Sequence, residues 1–371
     1  MKFGKSMKRE SPTIVVLAMT MLLFAINTFA TEYAIFFPVN DSIRIGLTGM
    51  PYAAYSSEIG IELGLNVLLF ERNASANVVP GQDFRMRLNI DYTVNDDRSI
   101  SLTSSIPIRK HNQKVDFMLK YEKNQNDFYG IGTNTSSDIV TTYHREQHRF
   151  TGNWLKLLSL NHSAGLAWDI SGFENSDFIH QNIRGFDHFY RAMGLGLVYV
   201  YNSKMPNNFP IEGTYYRNQI IFYDRAFISD FNFITLNQEF HYFFPLRSHV
   251  VANQIVSNNT FGNRPFHYYA TQGSSTLMRG LKTNRFTERH FLGSQTEYRS
   301  PIFFWRVSGV CFVATGLSYG EVDDFAFRNV NVTGGFGFRI ALDKEERVNL
   351  RADVGVSREG FEVYFKFGEA F

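Results

Sequence analysis

One cysteine, Cys311, stands in 371 residues, so the chain can form no internal disulfide and offers no thiolate cluster to a metal. An excess of charge is also lacking. With 37 Lys and Arg against 35 Asp and Glu, the formal net charge is +2, which gives no support for a nucleic-acid partner. After Ala30 no apolar run approaches the roughly 20 residues a membrane-spanning helix needs. Any crossing beyond that point must be made by strands, since only closed strands or helices satisfy their backbone in lipid. No linker, low-complexity tract or internal repeat interrupts the chain. A G-x-S-x-G elbow is absent, and the ten His show no pairing with Ser that would make a nucleophile. What is plentiful is aromatic: 16% of the residues, with 37 Phe and 19 Tyr. Short strands with rings at two water–lipid interfaces have this composition, and so does a soluble β-sandwich with an aromatic core.

The N-terminus separates these readings. Lys2, Lys5, Lys8 and Arg9 precede an apolar stretch from Thr13 to Ala30, and Thr28-Phe29-Ala30 places small residues at its end. A positive segment, an apolar core and a small-residue site form a secretory signal peptide, so residues 1–30 are expected to be removed, leaving Thr31 first. No Cys follows the apolar stretch, which excludes a lipoprotein anchor.

The mature chain then alternates. Between Ile59, Ile61, Leu63, Leu65, Val67 and Leu69 lie Gly60, Glu62, Gly64 and Asn66, and Phe84, Met86, Leu88, Ile90 and Tyr92 alternate with Arg85, Arg87, Asn89 and Asp91. Period two places one face in an apolar medium and the other in a polar one, whereas a helix would scatter these charges around its circumference. Fifteen such segments can be marked, from Ile59–Leu69 to Phe361–Phe371. Because single-chain bacterial barrels have an even number of strands, sixteen are expected, with one unplaced. Aromatic clusters such as Tyr242-Phe243-Phe244 and Phe303-Phe304-Trp305 sit beside turns, as girdle residues do. The expected fold is therefore all-β, a transmembrane antiparallel β-barrel of residues 58–371 behind a short N-terminal segment, 31–57. Stretches 123–139, 174–188 and 257–290 are expected as external loops, and Asn95–Arg98 and Asp343–Glu346 as short turns.

Several stretches resemble the bacterial surface antigen family, the superfamily of BamA- and TamA-type outer-membrane assembly factors. Met278-Arg279-Gly280-Leu281 resembles the R-G-Y/F tip of the family's inward loop. Glu297-Tyr298-Arg299-Ser300-Pro301 is similar to its E-x-R-x-P strand, and Phe312-Val313-Ala314-Thr315-Gly316 to its F-x-D-x-G strand. The closing residues Tyr364–Phe371 resemble its last strand, and Pro51–Ser56 and Phe128–Gly132 resemble family stretches further upstream. The resemblance implies a long loop folded into the lumen. Two departures stand out. Only a short segment precedes the barrel, where assembling and secreting members carry periplasmic POTRA domains, so the chain resembles a reduced, barrel-only member. Ala314 stands where the family has an Asp that holds the loop arginine.

The resemblance and strand parity together name candidate site residues. Arg279 and Gly280 are expected at the loop tip, with Glu297 as the acid that holds Arg279, because Gly293, Gln295, Glu297 and Arg299 share the polar face of their strand. A guanidinium can hold a carboxylate in a bidentate fork, which Lys cannot. On the closing strand Phe361, Val363, Phe365, Phe367 and Phe371 share one face, and Phe365, Phe367 and Phe371 are expected as an outward signal that the assembly machinery pairs with. His144 and His148 do not suggest a metal, since residues four apart on a strand are about 13 Å apart, too far to share an ion. No cofactor or metal is expected, and no catalysis.

The function implied is insertion or assembly of protein or lipid at the outer membrane of a Gram-negative bacterium. Expected partners are outer-membrane lipid, the assembly machinery during biogenesis, and protein clients. Two alternatives stay open: a passive channel or surface barrel with a plugged lumen, and a lipid-modifying enzyme.

Overall fold

A computed structural model describes residues 35–38, 43–56, 60–73, 84–133, 135–176, 189–206, 209–321, 326, 329–341 and 349–371. The expected signal peptide lies outside the described residues.

Nineteen strands form among the described residues. A short β1 (Ile35–Pro38) precedes β2 (Ile43–Ser56), β3 (Gly60–Asn73), β4 (Arg85–Thr93) and β5 (Arg98–Ile108). Long strands follow: β6 (Gln113–Phe128), β7 (Thr141–Ser159), β8 (His162–Ser176) and β9 (Tyr190–Asn202). The next are β10 (Gly213–Tyr223), β11 (Phe233–Leu246) and β12 (His249–Gly262). Two three-residue strands, β13 (Ala270–Gln272) and β14 (Phe286–Glu288), pair with each other inside a long loop. The wall resumes with β15 (His290–Arg299), β16 (Val307–Tyr319), β17 (Asn331–Ala341), β18 (Asn349–Ser357) and β19 (Gly360–Phe367). With β1 and the loop hairpin set aside, sixteen antiparallel strands pair in chain order, and β19 closes on β2.

Each of the fifteen alternating segments maps onto one strand of this wall, the last of them only as far as Phe367. The unplaced sixteenth is β2, which the reading above left in the N-terminal segment 31–57, so the barrel begins at Ile43 rather than at residue 58. Gly46, Gly49, Pro51 and the pair Ala53-Ala54 break its apolar alternation and hid it. β6 and β12 also run on to Phe128 and Gly262, into stretches expected as loops.

The two faces differ as period two requires. Leu63, Leu166, Leu197, Val313 and Phe336 are all at least half exposed, while Asp169, Glu297, Arg339 and Asp353 on the other face are at most 1% exposed. In water each uncovered large side chain forfeits roughly 1.5–3 kcal/mol, so an outer face of this kind is stable only against lipid. Tight connections at 109–112, 160–161 and 247–248 share one end of the barrel, and the longer connections from β6 to β7 and from β12 to β15 share the other. The long-loop end is external by the rule for such barrels. The turn at Asn95–Arg98 lies at that external end too, since the strands alternate in direction. Exposed rings ring both ends: Phe244, Tyr298, Phe303, Phe304 and Trp305 at one, and Tyr92, Phe222, Phe261 and Phe361 at the other.

Closure is uneven. β18 and β19 share eight register pairs, Leu350↔Phe367 to Ser357↔Gly360. β19 and β2 share two, Tyr364↔Ser56 and Phe365↔Tyr55.

Candidate functional site

The loop between β12 and β15 folds into the lumen. Gly262 (φ +89°) turns the chain off the wall, a 3-10 turn at Phe266–Tyr268 leads inward, and the β13–β14 hairpin carries the tip. The base is anchored by rings and one acid. His267 stacks on Phe173 with 4.7 Å between centroids and meets the Tyr190 hydroxyl at 2.7 Å. Buried Asp169 accepts hydrogen bonds from Tyr268 (3.1 Å), Tyr223 (2.9 Å), Ser171 (2.6 Å) and Arg149 (2.7 Å). At the side of the tip, Arg285 donates to Glu359 at 2.7 Å and to Thr135 at 2.9 Å.

Arg279 ends fully buried. Its Nη1 donates to Asp353 Oδ2 at 2.8 Å, and its Nη2 pairs with Glu297 and reaches Gln295 Oε1 at 3.4 Å. The guanidinium lies over the Phe312 ring, 3.6 Å from its centroid. Around this core, Arg299 donates to Glu297 at 3.0 Å, Arg339 pairs with Asp353 and donates to Glu369 at 2.8 Å, and Arg351 reaches Asp353 at 3.3 Å. Charges out of water hold only when each is met by an opposite charge, and this interlocked set meets that condition.

Glycine permits the approach. Gly280 has φ +101°, and a Cβ there would lie 2.6 Å from the Val356 backbone nitrogen. On the wall, a Cβ at Gly355 would lie 2.5 Å from the Arg279 carbonyl carbon. The tip therefore rests backbone on backbone against β18. Tyr364 of β19 clamps it, accepting from the Gly280 N–H at 3.1 Å and donating to the Leu281 carbonyl at 3.4 Å.

The structure thus brings Arg279, Gly280 and Glu297 together and corrects the surroundings expected for them. With Ala314 in place of the family's Asp, the acid that joins Glu297 in holding Arg279 was left open by the sequence; it is Asp353. Ala314 packs with Met278, Leu281 and Phe291, an apolar patch under the tip. Asp353 was visible as a polar residue on its strand. Its position beside the tip depends on register across β16, β17 and β18, which runs Phe312↔Gly335↔Gly355. No spacing in the sequence reveals that register.

The closing strand is corrected more strongly. Phe361 faces outward, 67% exposed, but Phe365 is buried opposite Tyr55 at the seam. Phe367 ends β19. Phe371 is not on the outward face. Gly368 (φ +80°) turns the chain inward, and the Phe371 ring lies 5.4 Å from His241 and 5.0 Å from the Arg299 guanidinium. Arg299 also donates to a Phe371 carbonyl oxygen at 3.1 Å.

Across the lumen from this packed region lies a cavity of about 650 Å³ between β5 and β12, lined by Asn153, Arg217, Gln219, Asn237 and Asn258 among others.

The sequence matches no protein-family model and no curated protein. Solved structures do match. BamA from Haemophilus ducreyi lacking POTRA domains 1–3 superposes with a TM-score of 0.59 at 14% identity, covering 95% of this chain and 78% of that one. This chain has the fold of a BamA-type barrel. CdiB from Acinetobacter baumannii is similar at a TM-score of 0.56 and 11% identity, over 88% of this chain and 60% of that one. CdiB from Escherichia coli gives 0.56 and 10%, over 95% and 70%. At these identities the likeness is one of fold. Within that fold, this chain places its inward loop directly against the strand that closes the barrel.

Proposed function

We propose that this barrel inserts or assembles other polypeptides or lipids at the outer membrane, through the seam between β2 and β19. The observation that carries the reading is the two-pair junction itself. Separating it exposes few new backbone groups, and an unpaired strand edge is a template for another strand. The inward loop stands behind the junction, bonded to Tyr364 in the same strand. The similarity in fold to BamA and CdiB supports this class of role. On this reading the partners are membrane lipid around the apolar belt, the assembly machinery during biogenesis and protein clients at the seam. The chain does no catalysis of its own.

Reconstitution into liposomes tests the proposal. A photoreactive residue at Tyr55 should crosslink to a co-refolding outer-membrane barrel protein, and liposomes bearing this chain should fold that protein faster than empty ones. Equal folding rates with no crosslink would count against it. A second reading, a channel, is favoured by the polar cavity between β5 and β12. Stepwise single-channel currents without client folding would select that reading.

A further inference from the structure

We infer that β1 is a resident competitor for the seam, a short strand of the chain's own that covers the edge of β2 at Arg44–Leu47 and must leave before another strand can pair along the whole of that edge. This rests on the strand-accepting reading above. β3 pairs with β2 along its whole length, Ile43↔Asn73 to Ser56↔Gly60, and so takes one edge completely. The other edge is divided. β19 holds Tyr55 and Ser56, and β1 holds Arg44–Leu47 through Ile35↔Leu47 to Pro38↔Arg44. Between these two ladders lie the seven positions Thr48–Ala54. At 3.3 Å per residue they span about 23 Å.

The reason β19 does not cover them all is in the tail. After Gly368, Glu369 is drawn into the lumen by Arg339 at 2.8 Å and Asn349 at 2.7 Å, and Phe371 settles against Arg299. No residue of this tail continues along β2. β1 and β19 are both antiparallel to β2, so they lie in tandem on one edge, running in the same direction. A strand entering at Thr48 and extending toward Ile43 reaches β1 within the length of one ordinary strand. β1 is built to yield. It has four residues, and Pro38 carries no N–H to give to the ladder. Short strands and proline are means by which proteins blunt an edge without sealing it.

Full-length protein in liposomes decides the matter in three forms, each with Cys311→Ser: otherwise unaltered, with Ile35–Pro38 replaced by four glycines, and with Phe37→Cys and Ile45→Cys. The last two positions are register partners, and an oxidised pair would staple β1 in place. A photoreactive residue at Leu47, which β1 now covers through Ile35, reports capture of a synthetic peptide of residues 360–371, the chain's own closing segment. The glycine form should capture the peptide roughly tenfold better than the unaltered form, the scale of releasing a few cross-strand pairs. The staple should reduce capture to background, and reductant should restore it in the same sample, which separates blocking from misfolding. Equal capture in all three forms overturns the competitor role while leaving the strand-accepting seam intact. A staple that does not form under oxidation also overturns it. No capture even from the glycine form overturns the seam reading and this inference together.

Discussion

The two halves of the lumen obey one rule and satisfy it differently. Both walls turn polar residues inward. On the side of β15 to β19, buried Arg279, Arg299, Arg339 and Arg351 interlock with Glu297, Asp353 and Glu369, and the inward loop supplies the cation at their centre. On the side of β5 to β12, the wall faces a cavity, and Arg217 shares the Asn153 side chain with Gln219 at 3.2 Å. One side has exchanged water for an ordered set of opposite charges. The other remains open to polar occupants. A polar lumen is therefore not one environment, and the same substitution, Arg→Ala, should cost far more at Arg279 than at Arg217.

The largest effect is expected where the charges are sealed. Arg279→Ala leaves Glu297 and Asp353 buried with one fewer cation, and should destabilise the barrel by about 3–5 kcal/mol. The measurement is the temperature at which the compact band on a cold detergent gel is lost. Asp353→Asn and Glu297→Gln should each cost less than Arg279→Ala, since each leaves the arginine one acid. Arg279→Ala combined with Asp353→Asn should cost less than the sum of the two, because their charges meet directly. Strict additivity would mean that Arg279 and Asp353 are not in contact.

Steric effects come next. Gly355→Val places a branched side chain where the Arg279 and Gly280 backbone now lies, and should cost about 1–3 kcal/mol as overpacking. Ala314→Asp should not rescue Glu297→Gln. It buries a carboxylate against Met278 and Phe291, and should cost about 1–3 kcal/mol alone. Recovery of the cold-gel midpoint in the double variant would show that Asp353 is not the acid that completes the site.

How far the sequence reaches can be judged on these residues. Alternation of apolar side chains located every wall strand except β2, where glycine, proline and alanine hide the period. Parity alone set Glu297 inward. The motif at Met278–Leu281, read through resemblance, placed Arg279 and Gly280 at a loop tip. Asp353, Tyr364 and Gly355 escaped notice as partners of that tip, because their meeting depends on register across three strands and on the path of a loop. The course of Phe371 escaped for a related reason. An aromatic in phase with a strand is read as part of it, and the turn at Gly368 is bought by tertiary contacts to Arg299, Arg339 and Asn349.

The loop base adds a smaller, pH-dependent effect. Burial among Phe173, Tyr190, Tyr143 and Phe266, with the Arg145 charge nearby, holds His267 well below the ordinary histidine range. With a depressed folded value, the unfolded state binds the proton more readily. Stability is then full above the ordinary histidine value near 6.5 and falls as pH drops below it, by at most about 1.4 kcal/mol per unit. Proteolysis of the loop should accelerate from pH 7 to pH 5, and His267→Phe should flatten that dependence. An equal acceleration in the variant would place the titrating group elsewhere.

The smallest effect is expected in the open half, and it sharpens the comparison most. Arg217 forms no ion pair with an acid among the described residues, and its hydrogen bond to Asn153 leaves an amide that Gln219 still satisfies. Arg217→Ala therefore orphans no buried charge, and the cold-gel midpoint should stay within about 0.5 kcal/mol of the unaltered protein, as for substitutions that break no buried network. What should change is the field of the cavity. If the barrel conducts in bilayers, losing this cation should lower its preference for anions, measured as a reversal potential in a salt gradient. A large loss of stability would mean that the Arg217 side is as tightly coupled as the Arg279 side. The lumen would then be a single locked core, and the channel reading would lose the open path on which it depends.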